Sequence, residues 1–326
     1  MDSLYDQMGV NVSDINTTLC KEPPWGYSYQ ASQIIGGCLT ALPIIALGLN
    51  LTAMVVIFRA PKLKPCTRLF LFSVAICDTF VAIFIMPFRL VGLLGDRTLV
   101  HYVTLCNIGN GLDLMLYISS ISNLCILTFD RFLALCKPFR HAFWFKKEHC
   151  VLMFILSWLV PASLAFGIVP VQLHTKGVLP QNRCIMKITG SCQFLSNVPY
   201  ALSSTSLCYV IPCAFILICN YFILAAIDKR KKIFLTLLRL HTERGSCHRR
   251  HFGTRLAFTT MKMTSCFVLC WLPFYVVQSV QLLTSYQVPH YVWLLAYWAG
   301  YANCAINPLI YLRSISFIRF RCMENI

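Results

Sequence analysis

The sequence predicts an all-α membrane protein: a bundle of seven transmembrane helices followed by a short amphipathic C-terminal helix. Three observations carry that prediction. Of the 326 residues, 57% are hydrophobic and 12% charged, against roughly 25% charged in soluble domains, so most of this chain must have lipid as its solvent. The apolar residues fall into seven segments, each near or above the roughly twenty residues that a span requires. The connections between them alternate between strongly basic and weakly charged, which is the signature of a topology with its positive loops inside. That same alternation accounts for the net charge of +16 without a nucleic-acid partner.

Residues 1–32 read as an extracellular tail. They are polar, lack the short apolar core of a cleavable signal, and carry two glycosylation sequons, Asn11-Val-Ser13 and Asn16-Thr-Thr18. A third match, Asn50-Leu-Thr52, lies within a span and is discounted. The spans are expected at about 33–58, 68–93, 103–136, 148–170, 195–227, 255–283 and 291–312, inside a seven-transmembrane domain of 33–313. Basic connections at Arg59–Arg68, Lys137–Lys147 and Lys229–Arg255 are assigned to the cytoplasm. An odd number of spans then leaves the N-terminus outside. Residues 314–326 complete the chain as a short cytoplasmic helix and tail. Phe317, Ile318 and Phe320 among Arg313, Arg319 and Arg321 suit a helix lying on the inner membrane surface, with Cys322 a candidate for palmitoylation.

Pro43, Pro87, Pro161, Pro212, Pro273 and Pro308 all fall within spans. Each removes a backbone hydrogen bond and kinks its helix, so a bundle with several kinks and more than one packing arrangement is expected. Most of the 18 Cys lie in apolar spans and read as small hydrophobes. Only Cys20, Cys106, Cys184 and Cys192 fall where disulfides persist.

The third span holds two carboxylates, Asp113 and Asp130. Seventeen residues separate them, roughly 25 Å along a straight helix. An acid inside a membrane helix is costly and marks a functional site by default. With one acid near each end of a span, binding at one end and reporting at the other is the natural reading. The plain alternative for Asp113 is a buried acid satisfied by a neighbouring Tyr or Arg.

With those residues in place, the chain resembles the rhodopsin-like (class A) G-protein-coupled receptors, with a marker in every span. These are Asn50, the Asp78 of LFLFSVAICD, Cys106 with Asp130-Arg131-Phe132, Trp158, Pro212, Cys270-Trp271-Leu272-Pro273 and Asn307-Pro308-Leu309-Ile310-Tyr311. Within that family Asp113 matches the carboxylate with which biogenic-amine and trace-amine receptors grip the ligand's ammonium. The resemblance implies a ligand site of Asp113 and Tyr117 with Trp271, Phe274, Tyr275, Trp298 and Tyr301 as an aromatic cage for a cation. Ser204, Thr205 and Cys208 on the fifth span would reach the ring substituents, unless those hydroxyls bond back to their own helix.

The resemblance also implies an internal sodium site at Asp78, Ser120, Asn303 and Asn307. It further implies a switch of Asp130, Arg131, Ile121, Pro212, Phe267, Asn307, Pro308 and Tyr311 that couples to a heterotrimeric G protein, and a disulfide between Cys106 and Cys192. A bond between Cys184 and Cys20 is a further expectation. The departures are Phe132 for the usual Tyr, Asn220 for a supporting Tyr of the fifth span, and Gly253 for the acid that would hold Arg131. Leu99 stands in place of Trp, Tyr117 is bulky, and Arg89 adds a cation that a simple amine does not need.

The expected function is a plasma-membrane receptor for a small cationic amine. The alternatives are a receptor for a short cationic peptide of the somatostatin or melanin-concentrating-hormone type, or an orphan receptor with altered signalling. A retinal protein would need a Lys in 291–312, where there is none. A transporter would show two related halves. No phosphate loop, catalytic triad or metal cluster suggests an enzyme, and no catalytic cofactor is expected.

Overall fold

A computed structural model describes residues 29–60, 63–94, 103–168, 197–239, 247–283 and 288–323. The glycosylation candidates Asn11 and Asn16, together with Cys20, Cys184 and Cys192, lie outside the described residues. The seven apolar segments all fold as helices. The first comprises Tyr29–Leu39 and Ala41–Phe58, and the second Pro65–Phe80, a π turn at Val81–Ile85 and Met86–Leu93. The third is Val103–Cys136 and the fourth Lys147–Ile168. The fifth comprises Val198–Thr205, a π turn at Ser206–Val210 and Ile211–Arg239; the sixth is Cys247–Leu283 and the seventh His290–Met323. Six of them are long and apolar enough to cross a membrane, and the seventh packs along the sixth and the first. A short helix, Pro138–Trp144, follows the third.

Local chemistry sets several helix starts. Pro65 and Pro138 occupy first-turn positions, where a missing N–H costs nothing and the fixed φ suits the helix. Asn197 caps the fifth helix by accepting from the Tyr200 backbone N–H at 3.0 Å. The seventh helix runs without interruption through Met323. The separate surface helix expected over Ser314–Arg321 is therefore a continuation of the seventh, because no Gly or Pro follows Pro308 to break it. The side chain of Cys322 is not among those described.

The second and third helices form the centre of the bundle, and the fourth is its most lipid-facing member. One apolar core runs from Phe70, Val74 and Met86 through Leu124 and Leu127 to Phe267 and Tyr311, while Phe58, Leu159, Leu217 and Leu269 point outward. That inversion, apolar outside as well as inside, is what lipid as solvent requires. Trp158 ties the fourth helix to the second by donating from Nε1 to Ser73 Oγ at 2.9 Å.

The prolines act through the carbonyls they release. Pro87 and Pro212 each follow a π turn that contains the residue four positions earlier, Ile83 and Cys208, so the strain of the missing hydrogen bond is taken up as a wider turn. The Cys208 carbonyl accepts from Tyr117 Oη at 3.0 Å. Pro308 likewise frees the carbonyl of Cys304, which accepts from Asn50 Nδ2 at 2.8 Å. Asn50 is completely buried and also donates to Ala46 O at 2.8 Å. Its burial agrees with the dismissal of its sequon.

The cysteines depart from expectation at one place. Cys66, at the start of the second helix, is disulfide-bonded to Cys150 near the start of the fourth, with Cα atoms 5.8 Å apart. Both lie beside basic connections, at the end of the bundle where cysteines were expected to remain thiols. Replacing both with Ser should lower the unfolding free energy of purified, oxidised protein by about 2 kcal/mol. Thermal unfolding with and without reductant checks this: the difference should vanish once the wild-type bond is reduced. Cys106 is also disulfide-bonded, and its expected partner, Cys192, lies outside the described residues.

Candidate functional site

Asp113 faces the interior of the bundle, 8% exposed, and its carboxylate is already engaged. Arg89 of the second helix donates to Asp113 Oδ2 at 2.8 Å, and Tyr301 of the seventh donates to the same oxygen at 2.6 Å. Arg89 also donates to Asn110 Oδ1 at 3.0 Å, and its guanidinium lies over the Tyr297 ring at 4.9 Å. The carboxylate read from the sequence as the anchor for an incoming cation is thus paired with a resident one.

The backbone explains how Arg89 arrives there. The π turn at Val81–Ile85 inserts an extra residue and rotates the remainder of the second helix by about 100°. That remainder, Met86–Leu93, lays the Phe88 ring against the third helix at Gly109. A Cβ on Gly109 would meet the Phe88 ring at 2.7 Å, so a larger residue there would displace that ring. Gly109 and Asp113 are four apart and share a face, which brings the residue after Phe88 beside the carboxylate.

The predicted aromatic residues form one continuous group around this pair. Trp271 meets Tyr117 edge-on at 4.5 Å and Tyr301 at 6.1 Å. Trp298 meets Tyr301 at 5.9 Å. Phe274 contacts Trp271 at 5.8 Å and Tyr297 at 5.0 Å. Tyr275 stacks on Tyr209 at 4.3 Å. Gly300 matters here, since a Cβ would lie 3.0 Å from the Trp271 indole. Sequence reasoning missed Tyr209, Trp293, Tyr297 and Asn110 as members of this group. A helical register from Tyr301 back to Tyr297 and Trp293 is the signal that could have found two of them.

Of the fifth-helix candidates, Ser204 makes a bond to its own helix. Ser204 Oγ donates back to Ala201 O at 3.1 Å and accepts from Gln278 Nε2 at 3.4 Å. Thr205 and Cys208 are half-buried, the latter with its carbonyl held by Tyr117. Tyr117 therefore occupies the space between the third and fifth helices, and stacks on Phe267 at 5.6 Å.

Deeper in the bundle, Asn307 Nδ2 donates to Asp78 Oδ2 at 3.1 Å. Ser120 Oγ, Asn303 Oδ1 and Asn307 Oδ1 are buried oxygens without hydrogen-bond partners. Ile121 and Phe267 are buried in the same core as Tyr311, whose hydroxyl is also buried and unpartnered.

At the far end of the third helix, Asp130 and Arg131 form an ion pair. Thr67 donates to Asp130 Oδ2 at 2.9 Å and accepts from Arg131 at 2.7 Å. His141 of the short helix donates from Nε2 to Asp130 Oδ1 at 2.7 Å. Asn220 donates to Thr264 Oγ1 at 3.2 Å, linking the fifth and sixth helices where a Tyr was expected. Nothing lies within 4 Å of a Cβ placed on Gly253.

Comparisons with known proteins place the chain in a family. Residues 49–311 match the model of the 7 transmembrane receptor (rhodopsin family). The chain is 28% identical to the 5-hydroxytryptamine receptor 4 of Cavia porcellus, covering 84% of this chain and 74% of that one. It is 27% identical to the trace amine-associated receptor 1 of Mus musculus, covering 88% and 86%. It is also 27% identical to the octopamine receptor beta-2R of Chilo suppressalis, covering 84% and 74%. With a helix for each predicted span and a family match across most of its length, this chain belongs to the rhodopsin family of seven-transmembrane receptors and is a receptor, not an enzyme.

Proposed function

We propose that this receptor binds a small cationic amine at Asp113 and activates a heterotrimeric G protein from the Asp130–Arg131 end, with its N-terminus outside the plasma membrane. The observation that carries the reading is a buried carboxylate bonded by Tyr301, whose ring meets Trp271 and Trp298 and so joins the carboxylate to the aromatic group. Once Arg89 lets go of it, that carboxylate would attract an ammonium in a site of lowered dielectric far more strongly than water would allow. The relatives named for serotonin, octopamine and trace amines support an amine over a cationic peptide. Because the third helix carries both acids, a ligand that prefers one packing of the bundle biases the state of Arg131 roughly 25 Å away.

Asp78, Ser120, Asn303 and Asn307 are a fitting set for a small hard cation such as sodium, since three of their buried oxygens have no other partner. A bound cation there would supply the positive charge that a mid-membrane carboxylate needs.

The direct test is Asp113→Asn in cells, scored for amine-evoked G-protein activation against equal surface expression. Loss of about 100-fold or more in potency is expected, as for truncating one partner of a buried charge pair. An unchanged response would remove Asp113 from the ligand site.

A further inference from the structure

The resident Arg89 narrows the ligand class. We propose that the ligand of this site is a zwitterion, an amine that also bears a carboxylate, gripped by Asp113 at one end and Arg89 at the other. This rests on the amine reading of Asp113 and adds to it the second charge.

Charge balance favours such a ligand. Asp113 and Arg89 are both largely buried, with side chains 11% and 13% exposed, and together are neutral. An ammonium alone would add an uncompensated charge beside a guanidinium in a poorly screened site, where like charges repel strongly. A zwitterion brings one charge of each sign. Its ammonium takes Asp113 as the guanidinium turns to the ligand's carboxylate, and the site is neutral before and after. The existing contacts suit that exchange. Among the described residues both bonds to Asp113 fall on Oδ2, which leaves Oδ1 to accept from an ammonium. Arg89 rests on Tyr297 and donates to Asn110, so it remains anchored when it lets go of Asp113. A guanidinium has five donors in a planar fork that matches a carboxylate bidentately. The aromatic walls, Trp271 and Phe274 above all, would take the apolar or aromatic body that carries the two charges.

The test uses the full chain in cells and matched probes that differ only by the carboxylate: tyrosine and tyramine, tryptophan and tryptamine, phenylalanine and phenethylamine, histidine and histamine. β-Alanine and γ-aminobutyrate add a longer charge separation. Binding is read as ligand-induced thermal stabilisation of purified receptor, and activation as G-protein release, for wild type, Arg89→Gln, Arg89→Lys and Asp113→Asn at matched surface levels. At least one carboxylated probe should bind wild type about tenfold or more tightly than its decarboxylated partner. Arg89→Gln should reverse that preference. Arg89→Lys, which keeps the charge without the fork, should weaken the carboxylated probe less than Arg89→Gln does. Failure of every carboxylated probe to bind wild type, or an unchanged preference in Arg89→Gln, would overturn the inference. Loss of the amine response in Asp113→Asn alongside either of those results would leave the amine reading standing by itself. An amine response that survives Asp113→Asn would instead sink the amine reading.

Discussion

Replacing Asp130 with Asn should raise ligand-independent signalling about tenfold. Arg131 is 5% exposed and Asp130 2% exposed, and among the described residues the charge of the pair is compensated within this network. Removing one partner of a buried pair is strongly destabilising, by about 3–5 kcal/mol, because the remaining charge is left uncompensated. That cost falls on the packing in which Arg131 is buried. It would not fall on the proposed packing that releases Arg131 toward a G protein. A differential of only about 1.4 kcal/mol changes the ratio of the two populations tenfold. Gly253 sharpens the expectation, since the sixth helix contributes no acid at that position to share the restraint. Gly253→Glu has open space around it and should lower basal output. Agonist-free second-messenger accumulation, normalised to surface receptor, checks both. Equal basal activity in wild type and Asp130→Asn would show that the pair is not what holds the quiet state.

Asn50→Leu should cost about 2–3 kcal/mol and most of the surface expression. Leucine has the same branched skeleton as asparagine, so the shape of the side chain is kept and the main loss is one of hydrogen bonding. The Cys304 carbonyl, freed by Pro308, would be left without its donor in a region that water does not reach, and an unsatisfied buried acceptor costs its full desolvation penalty. The bond joins residues 254 apart in sequence, so its loss also unties the first helix from the seventh. Thr52→Ala is the matched control. Thr52 is exposed and bonds only back to Gly48 O at 2.8 Å, so its removal should leave the apparent Tm of the detergent-purified receptor within error.

Sequence and structure agree and part along physical lines. Helices were legible because the bilayer demands long apolar runs, and runs of that kind leave little else to form. Their interruptions were half legible: the prolines announce kinks, but not which of them is absorbed as a π turn, as before Pro87 and Pro212. Asp113 was legible as an exceptional residue, and so was Arg89. Their pairing was not, because it depends on the rotation of the second helix and on the bare backbone of Gly109. Ser204 illustrates the opposite case. A hydroxyl pointing to ligand and one bonded to its own helix have the same sequence, and here the local bond is made. The Cys66–Cys150 bond was hidden by its neighbours: basic flanks assigned both residues to a reducing compartment, where cysteines are usually thiols.

The two prolines whose carbonyls are claimed by a side chain of another helix have a mechanical consequence. A hinge whose loose acceptor is met only by lipid could bend through a continuous range. Here Tyr117 holds the bend of the fifth helix and Asn50 that of the seventh, each acting as a latch fitted from outside the moving part. Swinging either helix means letting go of one hydrogen bond before another can form. Motion at these joints should therefore proceed in clicks between discrete settings, and chemistry at Tyr117, which also presses on the Trp271 indole, can be felt directly by one of the latches.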